Sequence, residues 1–287
     1  MKVWLNGELV DNAEARLSVW DHGTLYGDGV FEGIRVYNGR IFQCRAHVDR
    51  LFNSARQLRL AVPYTKQELV DAMGETLRAN DVTGGGYIRL VVTRGPGTLG
   101  LHPFKCSQPN TFIIADQITL YPEEMYRDGM AVIIAETVRR SGRVIPSSVK
   151  SLNYLNNILA KIEAIDAGVA EAIMLNESGN VAECTGDNLF VVSDGRVITP
   201  PPEAGILVGI TRAVVMDLAR DAGLPVDEAD VTVEELYAAD ECFLTGTAAE
   251  VIAVTQVDGR RIGDGRPGPI TQKLLGAFRD YIASGDW

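Results

Sequence analysis

The sequence predicts an α+β protein with mostly antiparallel sheets and flanking helices. Three observations favour this class. Tight-turn dipeptides lie between β-rich flanks, and helices with recognisable ends lie between these hairpins. A third is the composition, because 46% hydrophobic and 23% charged residues are typical of a globular chain that can bury a sizeable core.

Five β-hairpins are predicted from turn signals. Asn-Gly and Asp-Gly between β-rich flanks are the strongest short-range signal for a two-residue hairpin turn. Four such pairs occur: Asn6-Gly7, Asn38-Gly39, Asp194-Gly195 and Asp258-Gly259. A fifth hairpin with a longer loop is expected at Asn176 to Asn180.

Five helices are predicted from apolar periodicity and end signals. Thr65 and Glu68 form a capping box. After the capping box, one helical face is shared by Leu69, Ala72, Met73, Thr76 and Leu77. Two further faces end at a glycine: Leu155, Ile158, Leu159, Ile162 and Ile165 before Gly168, and Val214, Val215, Leu218 and Ala222 before Gly223. The remaining helices are expected near Ala46 to Leu60 and near Ile270 to Ile282.

The length of 287 residues favours two domains. Residues 118–128 contain Pro122 and a cluster of charges, which predicts an interdomain linker. We therefore expect a small α+β domain at residues 1–117 and a large one at residues 129–287, which includes Lys150.

Composition argues against several functional classes. The formal charge of −11 and the lack of a long basic run argue against a nucleic-acid partner. No apolar stretch approaches the roughly 20 residues of a membrane span, and the amino end lacks a signal core, so we expect a cytoplasmic protein. The four cysteines form no CxxC pair and the three histidines are scattered, so we expect no metal site.

Lys150 is the strongest candidate for chemistry. It is one of six lysines among 27 basic residues, and it lies in an uncharged segment rich in serine and apolar residues. Partial desolvation lowers the pKa of an amine, which makes it usable as a nucleophile or Schiff-base partner. A solvated surface lysine is the alternative interpretation.

Two hydroxyl-rich turns are candidates for phosphate binding. Gly209 to Arg212 opens a helix whose free backbone amides and positive dipole end suit an anion. An ordinary N-cap by Thr211 is the alternative. Thr245 to Glu250 forms a second small turn. Glu183 follows a hairpin strand; with Lys150 and the two turns it matches the needs of pyridoxal phosphate, namely an amine, an anion at the ring nitrogen and phosphate donors.

A nucleotide-binding loop is a weaker interpretation. Gly95, Gly97 and Gly100 satisfy the GxGxxG spacing, but Pro96 and a following Leu-His-Pro-Phe run oppose the helix that a dinucleotide fingerprint requires. We expect a loop there.

At these residues the chain resembles the class IV (fold type IV) pyridoxal phosphate enzymes and, within them, the branched-chain amino acid aminotransferases. The matching stretches occur in the family's order over nearly the whole chain: Tyr26 to Arg35, His47 to Leu51, Tyr87 to Arg89, Lys150 to Tyr154, Glu183 to Phe190, Gly209 to Arg212 and Thr245 to Glu250.

The resemblance implies a role for each matching residue. Lys150 would bind pyridoxal 5'-phosphate covalently and move the proton between the substrate's α-carbon and the cofactor. Glu183 would pair with the pyridinium nitrogen and Tyr154 with the ring hydroxyl. The phosphate contacts are implied for Arg50, Gly209, Ile210, Thr211, Gly246 and Thr247. The substrate contacts are implied for Tyr26, Phe31, Tyr87, Arg89, Leu101, Thr247 and Ala248.

The implied activity is a transaminase that exchanges the amino group between leucine, isoleucine or valine and 2-oxoglutarate through pyridoxamine phosphate. Arg89 would serve the distal carboxylate of glutamate. Leu101 would reach the pocket of a neighbouring subunit from the loop at residues 95–104, which implies a homodimer or higher homo-oligomer. Residues 118–127 depart from the family pattern, so either Tyr121 or Tyr126 could line the pocket.

Three alternatives stay open. A D-amino acid aminotransferase shares the Lys-Ser-Leu-Asn and Val-Tyr-Asn-Gly stretches, whereas Phe-Glu-Gly-Ile-Arg and Tyr-Ile-Arg resemble the branched-chain type. An aminodeoxychorismate lyase shares the fold. A cofactor-binding protein without turnover is opposed by the complete set of Lys150, Glu183, Arg50 and Tyr154.

Overall fold

The computed structural model describes residues 1–118, 121–285 and 287. Its contacts divide the chain into two units. The first comprises Met1–Ile118, Val149–Asn153 and Trp287, and the second comprises Thr119–Ser148 and Tyr154–Asp286. The short segment that contains Lys150 therefore groups with the first unit, although it follows residue 129 in the sequence.

The first unit is built on a six-stranded sheet in which every recorded strand pair is antiparallel. Its strands are β1 (Lys2–Leu5), β2 (Glu8–Asp11), β3 (Gly29–Tyr37), β4 (Arg40–Ile41), β5 (Gly86–Thr93) and β6 (Asn110–Gln117), in the order β2-β1-β6-β5-β3-β4. Its helices are α1 (His22–Tyr26), α2 (Cys44–Gln57) and α3 (Lys66–Ala79). Side chains from α2, α3 and β5 share one core, among them Leu51, Leu69, Met73, Ile88 and Leu90.

The second unit contains a nine-stranded mixed sheet. Its strands are β7 (Met130–Ile134), β8 (Glu171–Leu175), β9 (Val181–Cys184), β10 (Asn188–Ser193), β11 (Arg196–Thr199), β12 (Val226–Glu228), β13 (Glu241–Gly246), β14 (Glu250–Val257) and β15 (Arg260–Arg261). The order is β12-β11-β10-β13-β14-β7-β8-β9, with β15 beside β14. The β11–β12, β14–β7 and β7–β8 pairs are parallel and the other recorded pairs are antiparallel.

Five helices accompany this sheet: α4 (Glu123–Asp128), α5 (Leu155–Asp166), α6 (Ile210–Asp221), α7 (Val233–Ala238) and α8 (Pro269–Ser284). Val132, Ile173, Leu189, Leu244 and Ile252 are buried together in the core of this unit. In the part of the chain that the structure describes, every helix is too short or too polar to cross a lipid bilayer.

All five predicted hairpins are confirmed. They join β1 to β2, β3 to β4, β8 to β9, β10 to β11 and β14 to β15. The Asn38-Gly39 turn has φ angles of 51° and 74°, as a two-residue type I′ turn requires. The prediction of an α+β fold with mostly antiparallel sheets is therefore confirmed.

The predicted helices are present, but their buried faces were predicted with unequal success. The Thr65–Glu68 capping box is formed, and the five predicted residues of α3 are its buried ones. In α6, the predicted Val215 is buried, whereas Val214, Leu218 and Ala222 are only half-buried. The other buried residues of α6 are Thr211, Arg212, Met216 and Ala219. In α5, the predicted apolar face is exposed, and the buried residues are Asn157, Ala160 and Ala164.

The sequence-based domain boundaries stay a proposal. Thr119 and Leu120 of the proposed linker lie outside the described residues. The remainder of that segment includes the short helix α4 and the buried Tyr121. The loop predicted at the three glycines from Gly95 to Gly100 is confirmed, because the helix required by a dinucleotide fingerprint does not begin there.

Candidate active site

Lys150 lies in a short extended segment of the first unit, beside β3. Its carbonyl oxygen accepts from Phe31 N at 3.1 Å, and Leu152 N donates to Gly29 O at 3.0 Å. Its own amide donates to Ser54 Oγ on α2 at 3.1 Å. The backbone of the candidate lysine is therefore fixed on both sides, and its Nζ lies 4.6 Å from the centre of the Phe31 ring.

A buried carboxylate holds Arg50. Glu32 of β3 accepts from Arg50 Nε at 2.8 Å and from Arg50 Nη2 at 2.8 Å. His47, one turn earlier on α2, donates from Nδ1 to the same carboxylate at 2.7 Å. Glu32 and His47 are fully buried. The network orients the Arg50 guanidinium by a bidentate pair, which is the strong form of this interaction.

The charges of this network shift two pKa values. Burial opposes the charged form of Glu32, but the Arg50 charge and the hydrogen bonds from Arg50 and His47 outweigh burial and lower the pKa of Glu32 to about 2. Burial lowers the pKa of His47, with further lowering by the charges of Arg50 and Lys150, against the attraction of Glu32. His47 is thus held neutral with Nδ1 as the donor, and its buried Nε2 has no hydrogen-bond partner among the described residues.

Phe31, Tyr87 and Arg89 lie together on one face of the first sheet. The Arg89 guanidinium lies 4.7 Å from the Phe31 ring centre and 5.6 Å from that of Tyr87. Gly33 is the cross-strand partner of Arg89, and a Cβ at Gly33 would lie 1.8 Å from Tyr87 Oη. The Tyr87 phenol therefore lies over Gly33. The structure brings these three predicted substrate residues together and places Lys150 beside Phe31.

Tyr26 and Leu101 belong to a different neighbourhood of the first unit. Tyr26 Oη donates to Leu99 O, and His22 Nε2 lies 2.7 Å from Thr98 O. The two rings stack edge to face with centres 5.0 Å apart. This pair fixes the loop at residues 95–104, in which the Leu101 residue is 78% exposed. The substrate roles of Tyr26 and Leu101 stay predictions.

Glu183 of β9 is held by donors of the second unit. Arg139 Nη2 lies 2.5 Å from Glu183 Oε1. Asn188 Nδ2 and the Leu207 amide donate to Glu183 Oε2 at 3.1 Å and 2.9 Å. The carboxylate is buried and is fixed at both oxygens. In the same unit, the half-buried Tyr154 stands at the start of α5.

The start of α6 has the properties of an anion site. The N-cap is Gly209 and makes no side-chain cap, so capping by Thr211 is ruled out. Thr211 is buried, and its hydroxyl has no hydrogen-bond partner within the described residues. A Cβ at Gly209 would lie 2.0 Å from Asn188 Oδ1, so a larger residue there would displace the Asn188 amide. Free amides, a dipole end and an unused buried hydroxyl suit a phosphate.

The second turn has similar chemistry. Thr245 is buried at the end of β13, and its hydroxyl also has no partner in the described part of the chain. Gly246, Thr247 and Ala248 follow as a half-buried turn. The buried hydroxyls of Thr211 and Thr245, which have no partner among the described residues, could donate to a phosphate. They are the observation that makes the second unit suitable for a phosphate-bearing cofactor.

The sequence left open which of two tyrosines, Tyr121 or Tyr126, lines the substrate pocket. Tyr121 is buried, and its Oη donates to Asp187 Oδ2 at 3.3 Å. Tyr126 Oη donates to Ala249 O at 3.1 Å, next to the Gly246–Ala248 turn. Both contacts lie within the second unit. Neither contact tests which tyrosine lines a substrate pocket.

Sequence reasoning missed Glu32, Arg139 and Asn188 as parts of the site. Glu32 could have been found, because an acid in the apolar run from Val30 to Ile34 needs a buried partner. Arg139 and Asn188 offered no comparable signal. Arg139 also donates to Gly205 O at 3.3 Å and to Asn157 Oδ1 at 3.1 Å, contacts that are distant in sequence.

The family of the chain follows from its sequence match. Residues 29–257, more than half of the chain, match the family described as Amino-transferase class IV. The chain therefore belongs to the class IV aminotransferases, which depend on pyridoxal phosphate. The resemblance stated from the motifs is confirmed.

Curated relatives match along almost the entire chain. One from Methanocaldococcus jannaschii, named "Putative branched-chain-amino-acid aminotransferase", is 50% identical over 280 residues, covering 98% of this chain and 96% of its own. The branched-chain-amino-acid aminotransferase of Pseudomonas aeruginosa is 39% identical, covering 98% and 92%. A D-alanine aminotransferase of Listeria monocytogenes is 37% identical, covering 98% and 96%.

Solved structures agree with the fold. The branched-chain amino acid aminotransferase of Escherichia coli superimposes with a TM-score of 0.95 at 36% identity, covering 98% of this chain and 94% of that one. The branched-chain amino acid aminotransferase of Thermobaculum terrenum, solved in its PLP-form, gives 0.90 at 33% identity, covering 99% and 94%. The prediction of fold type IV is confirmed.

Proposed function

We propose that the enzyme exchanges the amino group between the branched-chain L-amino acids leucine, isoleucine and valine and 2-oxoglutarate. The observation that carries this proposal is the group of Phe31, Tyr87 and Arg89 on one sheet face. Aromatic walls suit a branched aliphatic side chain, and a guanidinium within 6 Å of both ring centres suits the distal carboxylate of glutamate. The 50% identity to a relative of that name supports the same substrates.

In the first unit, we assign Lys150 as the amine that binds the cofactor covalently. Its Nζ would then move the proton between the substrate's α-carbon and the cofactor's C4′. Arg50 would hold the phosphate through its planar fork, and Glu32 would position that fork. Tyr26, Phe31, Tyr87 and Arg89 would contact the substrate.

In the second unit, we assign Glu183 as the anion that pairs with the cofactor's ring nitrogen, because three donors keep its carboxylate fixed. Tyr154 would hold the ring hydroxyl. The phosphate would bind at Gly209, Ile210 and Thr211 and at Gly246 and Thr247. The buried hydroxyls of Thr211 and Thr245 in these two turns have no partner among the described residues. Thr247 and Ala248 would also contact the substrate.

The bound cofactor would supply the electron sink and would carry the amino group as pyridoxamine phosphate between the two half-reactions. The residues of the chain would bind, orient and transfer protons. We also propose that at least two copies associate, with Leu101 reaching the neighbouring copy, since Leu99, Leu101 and Phe104 are strongly exposed. A cytoplasmic location is supported by four unpaired cysteines.

Borohydride reduction tests the role of Lys150. The cofactor-loaded protein is reduced, digested and analysed by peptide mass spectrometry, with label expected on Lys150. The Lys150→Arg variant should lose the label, and the exposed control Lys66→Arg should keep it. Label on another lysine, or none, would contradict the assignment.

A second assay tests the substrate class. The protein is given 2-oxoglutarate with L-leucine, L-isoleucine, L-valine or D-alanine, and the 2-oxo acid products are measured. Turnover of the three L-amino acids is expected. The D-alanine aminotransferases that match at 37% identity supply the rival function, and turnover of D-alanine alone would replace our proposal with it.

A further inference from the structure

The turn between β13 and β14 ends in a strained residue. Gly246 pairs with Glu250, so Thr247, Ala248 and Ala249 form a three-residue hairpin loop. Glu250 has a φ angle of 60°, in the left-handed region that glycine adopts freely and glutamate rarely adopts. Three-residue hairpin loops commonly have glycine at their left-handed position. The glutamate therefore carries a conformational cost, which persists only because contacts with the surrounding chain offset it.

The side chain of Glu250 lies close to a positive charge of α8. It is only 14% exposed, and its Oε2 lies 3.8 Å from Arg279 Nε. A carboxylate that is largely removed from water gains more from a nearby positive charge than a solvated carboxylate does. Arg279 therefore stabilises the side-chain position that goes with the left-handed backbone of Glu250.

Arg279 also contacts Tyr126 of α4. Its guanidinium lies 5.7 Å from the centre of the Tyr126 ring, which is within the range of a cation–π interaction. Tyr126 Oη donates to the carbonyl of Ala249, the last residue of the loop, at 3.1 Å. The guanidinium thus acts on the end of the loop by two routes, through the carboxylate of Glu250 and through the ring of Tyr126.

The start of the loop is restrained by a different residue. A Cβ at Gly246 would lie 1.8 Å from Asp187 Oδ1, so the backbone there passes directly against a buried side chain. With the start held, the φ angle of Glu250 sets the direction of the amides of Thr247 and Ala248. A displacement of about 1 Å at a binding group is enough to weaken binding.

We propose that Arg279 is a positioning residue for the substrate-binding turn. It holds Glu250 in the left-handed conformation and so directs Thr247 and Ala248. The inference rests on the proposed function, in which those two residues contact the substrate. The alternative is an ion pair without such a role, because partly exposed pairs often contribute little.

Two substitutions at Glu250 separate these interpretations, since both remove the carboxylate but only one removes the strain. The cofactor-loaded protein is titrated with 4-methylvalerate, a branched carboxylate without an amino group, and its Kd is read from the cofactor absorbance. In Glu250→Gln, this Kd and the KM for L-leucine should rise by about tenfold, while kcat changes by less than about twofold. In Glu250→Gly, all three should stay within about twofold of wild type, because glycine adopts this φ angle without strain.

Substitution of Arg279 gives the second half of the test. Arg279→Met should raise the Kd and KM by about tenfold, as Glu250→Gln does. The double variant Arg279→Met, Glu250→Gly should return to within about twofold of wild type, since no strained residue is left to hold. The matched control Arg220→Met removes an arginine of the same unit that is 52% exposed and lies 2.9 Å from Asp217, and it should leave both constants unchanged.

Hydrogen–deuterium exchange of the peptide with residues 246–250 gives a measurement that needs no substrate. Exchange should be faster in Glu250→Gln and Arg279→Met than in wild type and should return to the wild-type rate in the double variant. Equal effects of Gln and Gly at position 250, or unchanged exchange in Arg279→Met, would overturn the positioning role. Wild-type protein that shows the expected exchange pattern but neither binds 4-methylvalerate nor converts leucine would refute the proposed substrates, while the hold of Arg279 on the turn would stand.

Discussion

At the residue scale, two arginines of the candidate site are held by buried carboxylates. Glu32 accepts hydrogen bonds from Arg50 at both carboxylate oxygens, and Arg139 Nη2 lies 2.5 Å from Glu183 Oε1. Removal of one partner from a buried ion pair typically costs about 3–5 kcal/mol, because the other charge is left unpaired. Both pairs therefore fix side-chain geometry before any ligand binds.

The stacked position of Arg89 leads to a prediction about substrate choice. In Arg89→Met, the loss of the guanidinium should impair glutamate more than leucine, because only glutamate has a distal carboxylate for it. We expect kcat/KM to fall by tenfold or more for glutamate, about 1.4 kcal/mol, and by less for leucine. Steady-state kinetics with both substrates checks this, and Arg78→Met on the exposed face of α3 is the control. Equal losses for the two substrates would contradict the role.

The buried Asp187 lies against the Gly246–Ala248 turn, and the charge of a second buried acid, Glu171, acts on it. Burial, reinforced by the charge of Glu171, raises the pKa of Asp187 to about 7. Asp187 accepts from Tyr121, and Glu171 accepts from Thr185 Oγ1 at 2.5 Å. A Cβ at Gly246 would lie 1.8 Å from Asp187 Oδ1, which shows how closely the acid approaches the turn.

This raised pKa predicts a pH dependence of stability. The ordinary value is 3.8, so between about pH 4 and 7 the folded chain binds a proton that the unfolded chain releases. The stabilisation from this bound proton is complete below the pKa that Asp187 has in the unfolded chain. It is lost as pH rises through the folded pKa of about 7. In Asp187→Asn this decline should disappear, a difference of at most about 1.4 kcal/mol per pH unit. Urea unfolding at pH 5, 6 and 7 measures it, with the exposed Asp221→Asn as control; parallel curves for Asp187→Asn and wild type would contradict the prediction.

At the element scale, the pairing of β3 with β5 sets the position of Tyr87. Gly33→Ala would place a methyl group 1.8 Å from Tyr87 Oη, and the phenol must move. We expect kcat/KM to fall by about tenfold, equivalent to about 1.4 kcal/mol, with little change in the unfolding temperature because the flexible end of the side chain yields. Gly276→Ala in α8 is the matched control, since among the described residues its Cβ would meet no atom within 4 Å beyond its own helix backbone and chain neighbours. Full activity of Gly33→Ala would show that the Tyr87 phenol need not stay there.

The helices differ in how well their sequences predict burial. In α3 the apolar stripe and the buried face coincide, since the capping box and the periodicity both come from local residues. In α5 the stripe was found, but its environment was not, because contacts of Asn157, Lys161 and Glu163 with distant residues set the rotation. Apolar periodicity predicts which residues share one face of a helix, but it does not predict whether that face is buried.

At the scale of the whole molecule, cofactor binding should stabilise the fold. A ligand that binds only the folded chain adds about 2.7 kcal/mol at a hundredfold excess over its Kd. For a chain of this size we expect the unfolding temperature to rise by roughly 5–10 °C with pyridoxal phosphate. Pyridoxal without phosphate should give a smaller rise, because the α6 start and the Thr245 turn lose their anion. Scanning fluorimetry measures both, and equal rises would contradict phosphate binding there.

The sequence alone determined the fold class, the five hairpins, the helices with local end signals and the family. Turn dipeptides, capping boxes and family motifs each depend on residues that are neighbours in the chain, so they can be recognised without the structure. It also singled out Lys150 and Glu183. The tertiary structure decided what surrounds them: Glu32 on Arg50, Arg139 and Asn188 on Glu183, and Arg89 between two aromatic rings. It decided too that the predicted apolar face of α5 is exposed. Apart from Asn188 and Glu183, which are five residues apart, these contacts join residues far apart in the chain. They are fixed by packing and strand register, which local sequence does not encode.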